Sequence, residues 1–231
     1  MEKRPQKTLA RTLSCSTACC QFVFVLALFA PALVAFHHST SDTEVAKTTH
    51  ILTVVEVAET PHPDELVKIF SIVKSNRPDI SDTEAWRVSQ VILEESAKRH
   101  LDPMMVLAVI QVESGFQYSS VSPMGARGIM QIMPETGKFL SETLSGEYGF
   151  HPASFRPESL DDPLLNIRLG VYYLHDLTKQ FRSLNLALLA YNAGPAEIQN
   201  RLANNIAFSE EYATLVFDAY HNFKKSKPPT F

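Results

Sequence analysis

The stretch QVESGFQYSSVSPMGARGIMQIMPETG, residues 111–137, decides how the rest of the sequence is interpreted. It begins at the end of an apolar run, PMMVLAVIQV (103–112), and passes abruptly through Glu113 into a segment rich in Gly, Ser and Pro. No residue between Asp102 and Glu113 is charged, and apolar side chains occur all round the helical wheel, which is typical of a helix buried inside a domain. The sequence therefore places one carboxylate at the end of a buried helix.

A carboxylate in this position is expected to keep its proton near neutral pH. The helix dipole presents its negative end there and partial burial disfavours charge further, so both effects raise the pKa of Glu113. A carboxyl group that is still protonated near neutral pH is what general acid catalysis requires. A glutamate at a helix end is also commonly a solvated side chain, so Glu113 alone does not decide between the two interpretations.

The segment after Glu113 carries glycines and short polar side chains. Its glycines permit close backbone approach, while Ser122, Gln131 and Asn192 farther along supply polar groups. Met130 is expected to fill the core. The glycines in question are Gly125, Gly128 and Gly137.

Helix signals continue on both sides and predict a mainly α-helical fold. Ser81–Glu84 has capping-box spacing, and an Asp followed by a Pro occurs twice, a typical helix start. Strand alternation is scarce, so we expect one all-α domain over residues 64–231. The predicted helix starts are Ser81, Asp102 and Asp162, and the predicted stops are Gly115 and Gly194.

Composition and charge narrow the function classes. Of 231 residues, 45% are hydrophobic and 20% charged, as in globular proteins. Residues 1–36 hold four of the 21 basic and one of the 25 acidic residues, so the remainder carries 17 against 24, a net charge of about −7. Nucleic-acid binding needs clustered Lys and Arg, so we exclude nucleic acid as a partner.

The N-terminus resembles an export signal. A basic start is followed by FVFVLALFAPALVAF, residues 22–36, which fits the apolar part of a signal peptide or an uncleaved membrane anchor. Residues 37–63 are interpreted as a tether. Both alternatives export residues 64–231 to the periplasm, free or held at the inner membrane. All three cysteines precede the apolar run, so we expect no disulfide in the exported part.

Three motifs together resemble the soluble lytic transglycosylase family of peptidoglycan-cleaving enzymes, which has a lysozyme-like fold. They are ESGF (113–116), SPMGARGIMQIMPET (122–136) and ALLAYNAGP (187–195), in the family's order, and the likeness covers roughly residues 85–205. The resemblance implies that Glu113 is the single catalytic acid/base. It also implies substrate-binding roles for Ser122, Gln131, Met133, Tyr191 and Asn192.

The resemblance further implies a position for each of these groups. Ser122 would contact the acetamido group of the substrate, and Gln131 and Met133 would lie in the groove. Tyr191 would lie near the catalytic carboxyl and donate a hydrogen bond to Glu113 or to the sugar, with Asn192 beside it. The expected partner is the peptidoglycan glycan strand, bound by a monomer. No cofactor is expected, and no metal, because the histidines lack ligand spacing.

The implied chemistry is cleavage of the β-1,4 bond between N-acetylmuramic acid and N-acetylglucosamine with closure of a 1,6-anhydro ring. Substrate assistance allows one carboxylate to suffice. Three alternatives remain at this point: a hydrolytic lysozyme on the same fold, a non-catalytic glycan-binding scaffold module, and a purely structural helical domain. Product analysis separates the first of these from a transglycosylase.

Overall fold

The computed structural model describes residues 63–227 as a mainly helical domain, which confirms the predicted all-α class. In this part of the chain β structure is limited to isolated bridges. The helices are α1 (Pro63–Asn76), α2 (Asp82–Arg99), α3 (Pro103–Ser114), α4 (Pro134–Thr143), α5 (Ser145–Tyr148), α6 (Pro163–Phe181), α7 (Leu184–Ala193), α8 (Pro195–Ala203) and α9 (Glu211–Lys225), with short 3-10 helices at Pro152–Ser154 and Pro157–Asp161.

Helix α3 lies at the centre, as its uncharged sequence predicts. All its residues from Pro103 to Ile110 are buried. It packs against α1, α2 and α9, and α9 is its main neighbour. Burying one side chain such as Leu107 contributes about 1.5–3 kcal/mol, so the continuous apolar surface fixes this helix firmly in the core.

The helix starts predicted from local signals are confirmed. The Asp102 side chain accepts a hydrogen bond from the backbone N–H of Met104 at 2.9 Å. Ser81 and Asp162 cap α2 and α6 in the same way. Each cap satisfies a donor that the first helical turn leaves unpaired, and such a cap contributes about 1 kcal/mol.

Asp102 also fastens the C-terminal helix to the central one. Its Oδ2 accepts hydrogen bonds from the Tyr220 hydroxyl and from Lys224 Nζ, both at 3.0 Å. This carboxylate therefore joins the start of α3 to the last turns of α9. Because α9 is held along α3, its first turn lies beside the opposite end of α3, where Glu113 is.

The predicted signal or anchor at residues 1–36 and the tether up to residue 62 lie outside the described residues. Among the helices that the structure describes, none has both the length and the apolar character that crossing a bilayer requires.

Candidate active site

Glu113 occupies the last turn of α3, where the helix ends. Gly115 adopts a left-handed conformation with φ of 56°, and its N–H bonds to the carbonyl of Gln111, so the chain turns away directly after Glu113. The Glu113 side chain is partly buried. The hydroxyl of Tyr212 donates a hydrogen bond to its Oε1.

The surroundings of Glu113 favour its neutral form. Burial raises the pKa of Glu113 to about 7, while the hydrogen bond from Tyr212 lowers it to a lesser degree. No charged neighbour among residues 63–227 contributes to the shift. The raised pKa is therefore a desolvation effect, and a carboxyl group in this state can donate a proton near neutral pH and accept one afterwards.

Tyr212 is the functional neighbour that sequence reasoning missed. It lies in the first turn of α9, 99 residues from Glu113, and reaches the carboxyl because α9 packs along α3. Burial, together with the nearby Glu113, raises the pKa of Tyr212 well above its usual range. The hydroxyl thus stays protonated and remains a donor. The stretch SEEYATLVF gave no signal beyond a tyrosine near a helix start.

The glycine loop, residues 120–133, packs directly against the end of α3. The hydroxyl of Ser114, which follows Glu113, donates to the carbonyl of Ile129 at 2.7 Å. Ile129 and Met130 are fully buried, which confirms the core position expected for Met130. Residues 128–130 of the loop therefore belong to the core next to the end of α3, while Val121 and Met124 are exposed.

The hydroxyl of Tyr191 bonds to a group other than Glu113, which was one of its two expected partners. Its hydroxyl donates to the carbonyl of Met130 at 2.9 Å, and Tyr212 takes the place on Glu113. Tyr191 is buried, and its ring packs against Tyr173 with 5.3 Å between the centroids. Glu113 nevertheless helps to raise the pKa of Tyr191, so the two groups are near each other.

The remaining predicted residues are Ser122, Gln131, Met133 and Asn192. Ser122 Oγ accepts from the N–H of Ala126 at 3.0 Å, and Gln131 Nε2 donates to the carbonyls of Ser120 and Gly128, both at 2.9 Å. Both side chains thus brace the glycine loop. Met133 and Asn192 are exposed. Within residues 63–227 no hydrogen bond joins any of these four predicted side chains to Glu113.

Comparison with known proteins identifies the family. Residues 90–213 match the family model described as Transglycosylase SLT domain, and this span is more than half of the chain. The chain belongs to this family. The SLT domain includes the end of α3, the glycine loop and both tyrosines, so the whole candidate site lies within the matched span.

Individual relatives agree with this assignment. The soluble lytic murein transglycosylase of Escherichia coli K12 is 32% identical over 141 residues, which cover 54% of this chain and 21% of that enzyme. Membrane-bound lytic murein transglycosylase C of Photorhabdus laumondii is 27% identical over 165 residues, covering 64% and 45%. The X-ray structure of an inactive mutant of lytic transglycosylase Slt from Pseudomonas aeruginosa is 29% identical, covers 59% of this chain and 24% of that one, and has a TM-score of 0.51.

The matched region is a limited part of these relatives. The chain spans about a fifth of the length of the E. coli enzyme and less than half of the Photorhabdus one. The likeness to solved lytic transglycosylases nevertheless covers most of this chain, so the SLT domain shares their fold.

Replacing Tyr212 by phenylalanine is expected to raise the pKa of Glu113 further. The tyrosine hydrogen bond stabilises the carboxylate, so its loss makes ionisation harder. If Glu113 acts as the acid, activity falls as pH rises through its pKa, and this alkaline limb should move to higher pH in Tyr212→Phe. The measurement is the pH profile of kcat/KM on glycan strands, because kcat/KM reports the ionisation of the free enzyme. An unmoved alkaline limb would show that Tyr212 does not tune Glu113.

Glu113 is also expected to lower the stability of the SLT domain at alkaline pH. Its folded-state pKa of about 7 lies above the usual glutamate value of 4.5. The stability of the domain with neutral Glu113 is therefore fully present below about pH 4.5 and is lost as pH rises through 7. Glu113→Gln mimics the neutral form. It should exceed the wild type by on the order of 3 kcal/mol near pH 8 and equal it near pH 4.

Chemical denaturation at both pH values measures this difference. Glu94→Gln, which removes an exposed carboxyl on α2, is the matched control. Its free energy of unfolding should change between the two pH values nearly as much as that of the wild type. Parallel stability curves for the wild type and Glu113→Gln over the whole range would contradict the desolvated state of Glu113.

Proposed function

We propose that this protein is a lytic transglycosylase of peptidoglycan that cleaves the β-1,4 bond between N-acetylmuramic acid and N-acetylglucosamine. The observation that carries the proposal is the desolvated carboxyl of Glu113, with a pKa of about 7, at the end of a buried helix. Membership of the SLT family and the names of the relatives support the same reaction.

The chemistry assigned to Glu113 has two proton transfers. Glu113 first protonates the glycosidic oxygen as the C1–O bond breaks, while the 2-acetamido group of the substrate stabilises the anomeric carbon. The resulting carboxylate then removes the proton from the C6 hydroxyl of the same sugar. The C6 oxygen bonds to C1 and closes the 1,6-anhydro ring, so Glu113 returns to its starting state and no water is consumed.

Tyr212 suits this cycle because it keeps its proton throughout. Its hydroxyl holds one carboxyl oxygen in place when Glu113 is neutral and stabilises the carboxylate between the two steps. The hydrogen bond lowers the pKa of Glu113 only in part, against the larger effect of burial. The acid is thereby strong enough to donate, and its conjugate base is still able to accept.

Among residues 63–227 no second carboxylate shifts the pKa of Glu113, which favours this reaction over hydrolysis with paired acids. Retaining glycosidases hold two carboxyl groups about 5 Å apart and inverting ones about 6.5–9.5 Å apart, close enough for each charge to shift the pKa of the other. In the described part of the chain no carboxylate affects the pKa of Glu113. The acetamido group of the substrate would take the place of the missing acid.

Substrate contacts are assigned to the exposed edge of the same site. Ser122 uses its oxygen as an acceptor within the glycine loop, and its hydroxyl proton would donate to the acetamido carbonyl. Gln131 keeps its side-chain oxygen for the glycan, because its nitrogen braces the loop. Exposed Met133 and Asn192 would contact the sugar rings. Tyr191 would hold the glycine loop in place through its hydrogen bond to the carbonyl of Met130.

Export to the periplasm is part of the proposal. The substrate lies outside the cytoplasm, and residues 22–36 fit a signal peptide or an inner-membrane anchor. Soluble and membrane-bound relatives both occur in this family, so either fate of the apolar run is compatible with the reaction.

The proposed function is tested by mass spectrometry of the products. Purified sacculi are incubated with residues 37–231 and the soluble muropeptides are analysed. We expect 1,6-anhydromuramoyl ends, which are lighter than the hydrolysed form by one water. Reducing ends would show hydrolysis instead, and sacculi that remain uncut would contradict the assignment of a glycan-cleaving enzyme.

A further inference from the structure

Asn166 is a fully buried polar residue in the first turn of α6. Its side-chain Oδ1 accepts a hydrogen bond from the backbone N–H of Met130 at 2.8 Å. Its Nδ2 donates to the carbonyls of Arg127 and Leu160, both at 2.9 Å. The carboxamide thus uses its acceptor and both donors on backbone groups, and two of the three partners belong to the glycine loop.

The backbone of the glycine loop is shaped to receive this carboxamide. Gly128 lies between the two loop residues that Asn166 binds and has φ of 82°. A Cβ atom at Gly128 would lie 2.2 Å from Asn166 Nδ2 and 2.1 Å from the carbonyl oxygen of Leu160. Only glycine allows so close an approach, so the amide and the loop fit each other at this point.

The bonds made by Asn166 complete a set that comes from three helices. Ser114 on α3 donates to Ile129, Asn166 on α6 accepts from Met130, and Tyr191 on α7 donates to Met130. Both backbone groups of Met130 are therefore fixed by side chains. Gln131 follows Met130 in the chain and has a positive φ of 49°. The direction of its side chain therefore depends on the position of the Met130 peptide.

We propose that Asn166 is a positioning residue of the glycan-binding site. It never touches the substrate, because it is fully buried. The hydrogen bonds of Asn166 fix the backbone from Arg127 to Met130. This backbone in turn sets the positions of Gln131 and Met133 relative to Glu113. This inference rests on the proposed function, since it assumes that the outer edge of the glycine loop binds the glycan.

A positioning role predicts a different kinetic change from a merely structural one. Glu113 is anchored on α3 and its hydrogen-bond partner on α9, so displacement of the glycine loop weakens substrate contacts while leaving the acid in place. Loss of contacts that are the same in ground and transition states raises KM more than it lowers kcat. Partial unfolding instead lowers kcat and leaves KM unchanged, because it reduces the amount of active enzyme.

The experiment uses Asn166→Leu, which keeps the shape without hydrogen bonds, and Asn166→Asp, which keeps the acceptor for Met130. Both should raise KM for soluble glycan strands at least about tenfold, with a smaller change in kcat. Val73→Ala, which removes buried methyl groups from α1, is the control for lost stability and should keep the wild-type KM. A wild-type KM in the folded Asn166 variants would overturn the proposal.

Amide hydrogen exchange tests the same contact without glycan, in the wild type first and then in one variant. In the wild type the N–H of Met130 should be among the slowest to exchange in the glycine loop, and it should exchange faster in Asn166→Leu. A rapidly exchanging Met130 amide in the wild type overturns the role of Asn166 even if every variant fails to fold. Failure of the wild type to cleave glycan, with Met130 protected, would instead contradict the proposed function.

Discussion

Glu113→Gln is expected to lower kcat for release of muropeptides by on the order of 10⁴-fold. The same carboxyl is assigned both proton transfers, and a glutamine side chain can perform neither of them. Its shape and its hydrogen bond with Tyr212 are largely kept, so the loss reports chemistry and not binding. The measurement is the rate at which soluble products are released from purified sacculi, with circular dichroism to confirm the fold.

Glu135→Gln is the matched control for this experiment. Glu135 lies in the first turn of α4, within the second of the three family motifs, and is exposed. Its amide variant should keep wild-type activity, because an exposed helix-start carboxylate stabilises the helix dipole only slightly. Similar activity in Glu113→Gln and wild type would show that another group performs the proton transfers.

Gly128→Ala is expected to lower the free energy of unfolding by about 2–5 kcal/mol. The left-handed conformation costs a residue with a Cβ atom about 1–2 kcal/mol, and overpacking adds about 1–3 kcal/mol. The added methyl would meet the Leu160 carbonyl at 2.1 Å, and backbone cannot move aside as a flexible side chain can. Chemical denaturation of the variant and the wild type measures the change.

Two other glycines separate the contributions to this loss. Gly125 has φ of 86° with no atom within 4 Å of an added Cβ, so Gly125→Ala should show the conformational cost alone, about 1–2 kcal/mol. Gly146 in α5 has neither a positive φ nor a close neighbour, so Gly146→Ala should be neutral or slightly stabilising. Equal losses at positions 125 and 128 would show that the close approach at Gly128 is unimportant.

The sequence predicted the parts of the site that depend on local signals. Asp102 and Gly115 mark the start and end of α3, and the run between them is apolar all round, so a buried helix ending near Glu113 could be deduced. The raised pKa of Glu113 was expected from burial and the helix dipole, and burial is the cause that raises it in the structure. The roles expected for Ser122, Gln131, Met133, Tyr191 and Asn192 came from the family motifs, because no periodicity indicates them, and they stay predictions.

Long-range contacts were beyond the reach of the sequence. Tyr212 lies outside every motif and reaches Glu113 only because α9 runs along α3. The partner of Tyr191 proved to be the backbone of Met130, a group that carries no sequence signal. The short helix α8 was not predicted, for a different reason. Its first residue, Pro195, directly follows the predicted helix stop at Gly194, and the helix is only nine residues long.

Asn166 did leave a signal in the sequence. It is a polar residue four positions into a helix, at a place where its neighbours Ile167 and Leu169 are buried. A polar side chain among buried apolar ones needs hydrogen-bond partners, so it marks a contact even though the sequence does not say with what. The structure identifies these partners as the backbone of the glycine loop and of Leu160.

The most direct test of the account is titration of the Glu113 carboxyl by carbon-13 NMR in the folded wild-type protein. Comparison with Glu113→Gln assigns the signal, because only the Glu113 resonance disappears. The account predicts a pKa of about 7, with the proton held until neutral pH by burial at the end of α3. A carboxyl that ionises near the usual glutamate value of 4.5 would contradict it, since such a group has no proton left to give at neutral pH.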